Sequence, residues 1–372
     1  MIQHKLLLGS TALAGAGALL AGAGPARADI EVVLGGFTEF GVVAGTRNTV
    51  TNGENGGDRK YGFWMDNEIH FEANGATDGG VLYGSKIWVE AGTGGLDGDA
   101  FDTFVDEAAL FFSGNFGRVE LGLEDGAEDV MYVGGEDAQA GTGGIDGDIP
   151  NINFVQFTNT DDAAKATYFT PRVAGFQLGA SFTPDYEEDL PAEDRWQGGE
   201  AEGENGVSGG ANWVGELGPV DLTLSGVLLW AKCESNCTNQ TDQGEGFDDN
   251  QFSWAIGGLL EFGGFTFGAG YNRADDFAPE TQDLDIVNVG LKYGFGDANV
   301  SFGYTFNGFD GEGLDDSNLF VLSGDLGILL GVTLLADVSY NTEDLGAFKG
   351  GVNGESEQDD TYGGVLSVQL DY

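Results

Sequence analysis

Carboxylates are the abundant reactive groups of this 372-residue chain: 62 Asp and Glu stand against 14 Lys and Arg, two His and two Cys. The densest run carries Glu124, Asp125, Glu128, Asp129, Glu136, Asp137, Asp146, Asp148, Asp161 and Asp162, and Lys165 is the first basic residue beyond it. Carboxylates at this density can draw in and orient cations, bind a hard metal ion, or keep a surface hydrated. Two segments, Gly95-Leu96-Asp97-Gly98-Asp99 and Gly144-Ile145-Asp146-Gly147-Asp148, set paired carboxylates two apart beside glycine. Hard oxygen ligands of this kind suit Ca2+, so Asp97, Asp99, Asp146 and Asp148 are candidate ligands. An EF-hand would add a third carboxylate before its glycine and a bidentate Glu after it, and neither segment has them. The Gly/Asp richness also falls short of a calcium-binding β-roll, because no nine-residue period is sustained. No cofactor is required by anything in the sequence.

Nucleophilic and metal chemistry find little to work with. The chain has no Gly-x-Ser-x-Gly elbow, no His-Glu-x-x-His and no phosphate loop, so it is not read as an enzyme. Cys233 and Cys237, in Cys-Glu-Ser-Asn-Cys, are expected to close a small disulfide ring at a loop tip, since two thiols without a nearby His make a poor zinc site.

A secretory leader explains why a disulfide would persist. His4 and Lys5 give a weakly positive start, residues 6–24 are apolar and small, and Ala26-Arg27-Ala28 supplies a cleavage site, so residues 1–28 are expected to be a signal peptide and 29–372 one mature domain. His70 is then the remaining histidine. Losing Lys5 and Arg27 leaves 12 basic against 62 acidic residues and a net charge near −50, which excludes nucleic acid as a partner. No later stretch approaches the roughly 18 uninterrupted apolar residues of a membrane helix. Membrane residence would therefore be by β-structure.

The elements that must position these carboxylates are strands. Tyr61, Phe63, Met65, Ile69 and Phe71 alternate with Trp64, Asp66, Glu68, His70 and Glu72, giving one face for lipid and one for water. Val300, Phe302, Tyr304 and Phe306 repeat the device, and an apolar content of 41% is no objection, because a barrel hides its lipid-facing residues in alternate positions. The alternation predicts strands over 31–44, 61–74, 80–91, 103–113, 117–125, 164–171, 175–184, 206–217, 219–231, 251–262, 264–273, 284–295, 298–307, 317–326, 331–341 and 361–372. Sixteen is an even number, and short connections alternate with long ones, as in a bacterial outer-membrane barrel with both termini on the short-turn, periplasmic side. The acidic run from Glu124 then falls between strands five and six. Parity puts Lys86 and His70 on the water face, with Lys165 and Lys292 as further basic wall candidates. Against them, Glu39, Glu68, Glu72, Glu90, Glu107 and Glu120 are expected to point inward as well. A lumen with this imbalance should favour cations.

Three segments carry a family resemblance. Ser-Gly-Asn-Phe-Gly-Arg-Val-Glu-Leu-Gly (Ser113 to Gly122) resembles the turn into the fifth strand of Gram-negative general porins, particularly the alphaproteobacterial type. Residues 168–185, from Tyr-Phe-Thr-Pro-Arg through Phe-Thr-Pro-Asp, are similar to the family's hairpin joining strands six and seven, and Ser-Val-Gln-Leu-Asp-Tyr (Ser367 to Tyr372) to its closing strand. The resemblance implies an all-β, 16-stranded antiparallel transmembrane barrel with an inward-folded third loop. It implies a homotrimer in outer-membrane lipid and lipopolysaccharide, passing small hydrophilic solutes and cations by diffusion. Relatives often carry Arg just after the glycine of the fifth strand, where this chain has Leu123. The competing expectation is a secreted, acidic, calcium-binding structural or surface-layer protein.

Overall fold

A peptide group in hydrocarbon has no water to bond to, so a strand can cross a membrane only if both of its edges are paired. The computed structural model meets that condition with one closed sheet. It describes residues 30–45, 61–91, 103–149, 155–156, 160, 162–185, 203–233, 247–277, 282–310, 316–342 and 360–372. The strands are β1 Glu31–Gly45, β2 Tyr61–Ala76, β3 Leu82–Ala91, β4 Thr103–Gly114, β5 Gly117–Leu123, β6 Ala164–Phe169, β7 Phe176–Asp185 and β8 Gly203–Leu217. The second half holds β9 Val220–Cys233, β10 Phe247–Phe262, β11 Phe265–Phe277, β12 Gln282–Phe295, β13 Ala298–Asp310, β14 Ser317–Leu329, β15 Val332–Thr342 and β16 Asp360–Asp371. Each pairs antiparallel with its neighbours in sequence, and β1 pairs with β16, Phe37 opposite Asp371 through Gly45 opposite Gly363. The expected sixteen-stranded antiparallel barrel is thus observed.

The period of two sorts the side chains by solvent. Along β13, Ser301, Thr305 and Asn307 are buried inside, while Phe302 between them is 47% exposed on the outer surface. On the outer face of β13 to β16, Tyr304, Phe320, Tyr340 and Tyr362 form a cross-strand row with ring centroids 4.9, 6.2 and 4.9 Å apart. Aromatic rows at this level are the interfacial girdle of a membrane barrel. Short hairpins close one rim. At the β10–β11 turn both Gly263 (φ 57°) and Gly264 (φ 87°) have positive φ, the geometry a two-residue type I′ hairpin needs.

The expected boundaries shift mainly on the long-loop side. β10 starts at Phe247 rather than 251, β11 runs to Phe277 rather than 273, and β12 starts at Gln282 rather than 284. Above the lipid, ladder pairing continues without requiring an apolar outer face, so alternation stops marking the strand before the strand stops. β5 departs the other way, ending at Leu123 rather than 125, because Glu124 leaves the ladder to meet Lys86. Residues 1–28, Asp97, Asp99 and Cys237 lie outside the described residues, as does the side chain of Cys233.

Val338 is 64% exposed on the outer face near the middle of β15. Val338→Arg is expected to destabilise the barrel by about 2–4 kcal/mol, the cost of a cation near the bilayer midplane, and Val338→Leu to leave it unchanged. Equilibrium denaturant unfolding in liposomes measures both; equal stability of the Arg variant would show that this face does not meet lipid.

Candidate functional site

After β5 the chain turns into the barrel and follows its inner wall. It forms a short helix, α1 Ala127–Met131, then 3-10 turns at Glu136–Ala138 and Gly144–Asp146. A backbone inside a channel must also satisfy its donors, and here strand side chains do so in strand order. Ala127 N–H donates to Ser181 Oγ of β7 (2.7 Å), Val133 N–H to Ser225 Oγ of β9 (3.0 Å) and Gly135 N–H to Asn288 Oδ1 of β12 (2.8 Å). Ala140 N–H then donates to Ser301 Oγ of β13 (2.8 Å), and Thr142 N–H and Oγ1–H to Asp337 Oδ2 of β15 (both 2.9 Å). Tyr132 OH accepts from Asn272 Nδ2 of β11 at 2.9 Å.

Wall glycines make room for this contact. A Cβ on Gly257, Gly268 or Gly290 would fall 2.0, 2.2 or 2.1 Å from the carbonyl oxygens of Val133, Gly134 and Gly135 respectively. Gly268 pairs with Gly290, and Gly290 with Gly303, so the glycines form a bare track across β11, β12 and β13. Apolar patches hold the loop at both ends. Ala127, Met131 and Tyr132 pack with Phe169, Val227 and Ala255, while Ile145, Ile149 and Val155 pack with Val43, Leu319, Val321 and Val365. These inward apolar residues would be misplaced against water.

The expected pore residues separate into distinct roles. Glu128 is fully buried: Oε1 accepts from Thr160 N–H (2.9 Å) and Oγ1–H (2.7 Å), and Oε2 from Ser208 Oγ–H. It clamps the loop rather than lining the channel. Asp129, 1% exposed, accepts from Gln156 Nε2 at 2.6 Å and is likewise interior. Both lie on the loop where the sequence placed them, and the run folds back on itself to enclose them. Asp125 follows Glu124 into the lumen, Asp148 is half-buried, and Asp146 is exposed. Glu136, Asp137 and Asp146 line a cavity of about 660 Å³ with Glu68, His70 and Trp88 of the facing wall. Lys292 lines the same cavity near the short-turn rim.

On that facing wall, Lys86 Nζ is 2.6 Å from both Glu124 carboxylate oxygens and also contacts Glu107 of β4. Lys165 is buried and donates to the Glu124 carbonyl oxygen, so the root of the loop is tied to β3 and β6. Glu39 is buried and accepts from Ser367, Glu120 is paired with Arg118 at 2.6 Å, and Glu90 is half-buried on the lumen side of β3. Burial raises the carboxyls of Glu124, Asp125 and Glu128 above the usual range; it pushes Asp148 up to about 8, with Glu39, Asp66 and Asp337 adding repulsion. Among the described residues, no three His, Cys, Asp or Glu are arranged to hold a metal ion.

Sequence reasoning missed the seat: Ser181, Ser225, Asn288, Ser301, Asp337 and the glycine track. One signal was available. Leu319-Phe320-Val321-Leu322 and Val227-Leu228-Leu229-Trp230 are apolar on both faces, which marks strands covered on both sides.

A family model described as "Gram-negative porin" matches residues 10–346. No curated protein sequence matches. Among solved structures, an anion-selective porin from Comamonas acidovorans is similar at TM-score 0.64 and 16% identity, covering 92% of this chain and 100% of that one. A mutant of the Rh. blastica porin gives TM-score 0.58 at 16% identity with the same coverage.

Two outcomes test the seat. Gly290→Val is expected to lift the loop from the wall and change single-channel conductance, whereas native conductance from folded protein would make the track dispensable. Asp148 binds a proton more tightly in the folded chain, so folding loses stability as pH rises from about 4 through about 8, and is constant above. Thermal unfolding is expected at lower temperature at pH 9 than at pH 5, with a shallower dependence in Asp148→Asn; an equal slope would rule out this group as a contributor.

Proposed function

We propose, for a chain that belongs to the Gram-negative porin family, a channel that prefers cations among the small hydrophilic solutes it passes. Membership and the closed barrel make it an outer-membrane channel for passive diffusion. The family is one of channels rather than enzymes. Selection in such a channel rests on aperture and charge, with no bond made or broken. A homotrimer embedded in outer-membrane lipid and lipopolysaccharide is the assembly this reading carries. The barrel leaves the secreted surface-layer reading without support, since its apolar side chains face outward.

One observation carries the cation preference: the Lys86 ammonium, on the wall facing the loop, is held by two carboxylates, Glu107 and Glu124. Its charge is cancelled where a field favouring anions would need it. Glu68 and Glu90 pair across β2 and β3 on the same lumen face, and Glu136, Asp137 and Asp146 line the cavity with Glu68. Unit charges about 4 Å apart interact by about 1 kcal/mol in bulk water and about 4 kcal/mol near a protein surface. A cation passing between two acidic walls is therefore stabilised and an anion repelled. The Comamonas acidovorans porin, anion-selective on a similar fold, supports assigning selectivity to lumen side chains rather than to the barrel.

Reversal potentials in a KCl gradient across planar bilayers test this. Potassium is expected to be more permeant than chloride, and Lys86→Gln, which uncovers Glu107 and Glu124, to move the potential further towards the potassium limit. A chloride-selective native channel would overturn the proposal.

A further inference from the structure

We propose that the stacked His70–Trp88 pair is a docking shelf for small organic cations with a flat, weakly hydrated charged group, a guanidinium above all. The proposal deepens the cation preference argued above and rests on it. His70 on β2 and Trp88 on β3 are direct cross-strand partners. Their rings stack nearly parallel, with centroids 4.2 Å apart and planes at 15°. Both belong to the lumen face and line the cavity of about 660 Å³ beneath the loop, which lies within the size range of small-molecule sites. Glu68 Oε1 lies 3.0 Å from His70 Nε2, at the ring's edge, while the imidazole side chain keeps 15% of its surface open. Across the cavity stand Glu136 and Asp137 of the loop.

The wall applies this chemistry to its own ammonium. Lys86 Nζ lies 4.4 Å from the Trp88 ring centroid while its charge is met by Glu107 and Glu124. An aromatic face attracts a cation through the negative charge above its ring. A guanidinium, planar and weakly hydrated, stacks on such a face at less desolvation cost than a compact ammonium. With Trp88 engaged by His70 and by Lys86, the imidazole, 15% of its side chain open, is the ring the shelf offers, with the indole behind it, and Glu68 and the loop carboxylates supply the charge.

The test is current block in the full-length channel, reconstituted in planar bilayers in KCl, by two probes of equal charge: agmatine, which carries a guanidinium, and 1,5-diaminopentane, which does not. Agmatine is expected to block at roughly two- to fivefold lower concentration, the size of a partly exposed cation–π contact. The ratio is expected to fall to about one in His70→Gln and in Trp88→Leu, each first confirmed as folded, heat-modifiable protein. Equal block of the native channel, or a ratio surviving in both variants, overturns the shelf. The reversal potential of the same membranes separates the two readings: potassium preference with equal block discards the shelf alone, and chloride preference discards both.

Discussion

Everything in this molecule follows from one constraint: a peptide group left unpaired in hydrocarbon costs several kcal/mol. Sixteen strands closed by the β1–β16 ladder meet it outright, and closure commits every second residue to the interior. That interior must then be filled, hydrated or lined. The same constraint returns in milder form for the segment that enters the lumen after Leu123, whose backbone donors also need partners. It is met differently there. The strands have no spare main-chain groups, so inward side chains, among them Ser181, Asn288, Ser301 and Asp337, accept the loop's N–H bonds.

This division of labour accounts for the uneven chemistry of the lumen. Where the loop lies against β9 to β13, the side chains that seat it are Ser225, Asn272, Asn288 and Ser301 beside bare glycines, with Asp337 of β15 the acidic exception; the facing wall carries Glu68, His70, Lys86 and Glu90. Glu68 and Glu90 stand on that facing wall, and Lys86 sits beside them with its charge already met. Burial raises the carboxyls of Glu124, Asp125 and Glu128 and pushes Asp148 up to about 8, so Asp148 adds less negative charge near neutral pH than composition suggests.

The barrel was legible in the sequence because lipid imposes a period of two on every spanning segment; β7 and β15 could be read to within one residue at each end. Ends above the membrane, as in β10 and β11, were less legible because pairing there outlasts the alternation. The position of the acidic loop between β5 and β6 was legible from connection lengths. Its interior detail was not. Glu128 and Asp129 look in sequence like any other acids of the run, and only the return of the chain at Gln156 and Thr160 encloses them. The wall glycines were hidden by abundance, since 66 glycines give no sign of which ones a backbone crosses.

Those glycines set a mechanical tolerance. Because the loop rests on the bare sheet across β10 to β12, at Gly257, Gly268 and Gly290, each methyl group added to the track acts as a shim, displacing a rigid partition by about 1 Å into the open passage. The clear width of the channel is thus graduated from behind, by residues that no solute touches, and it could be trimmed in small steps while every charge facing the stream stays the same.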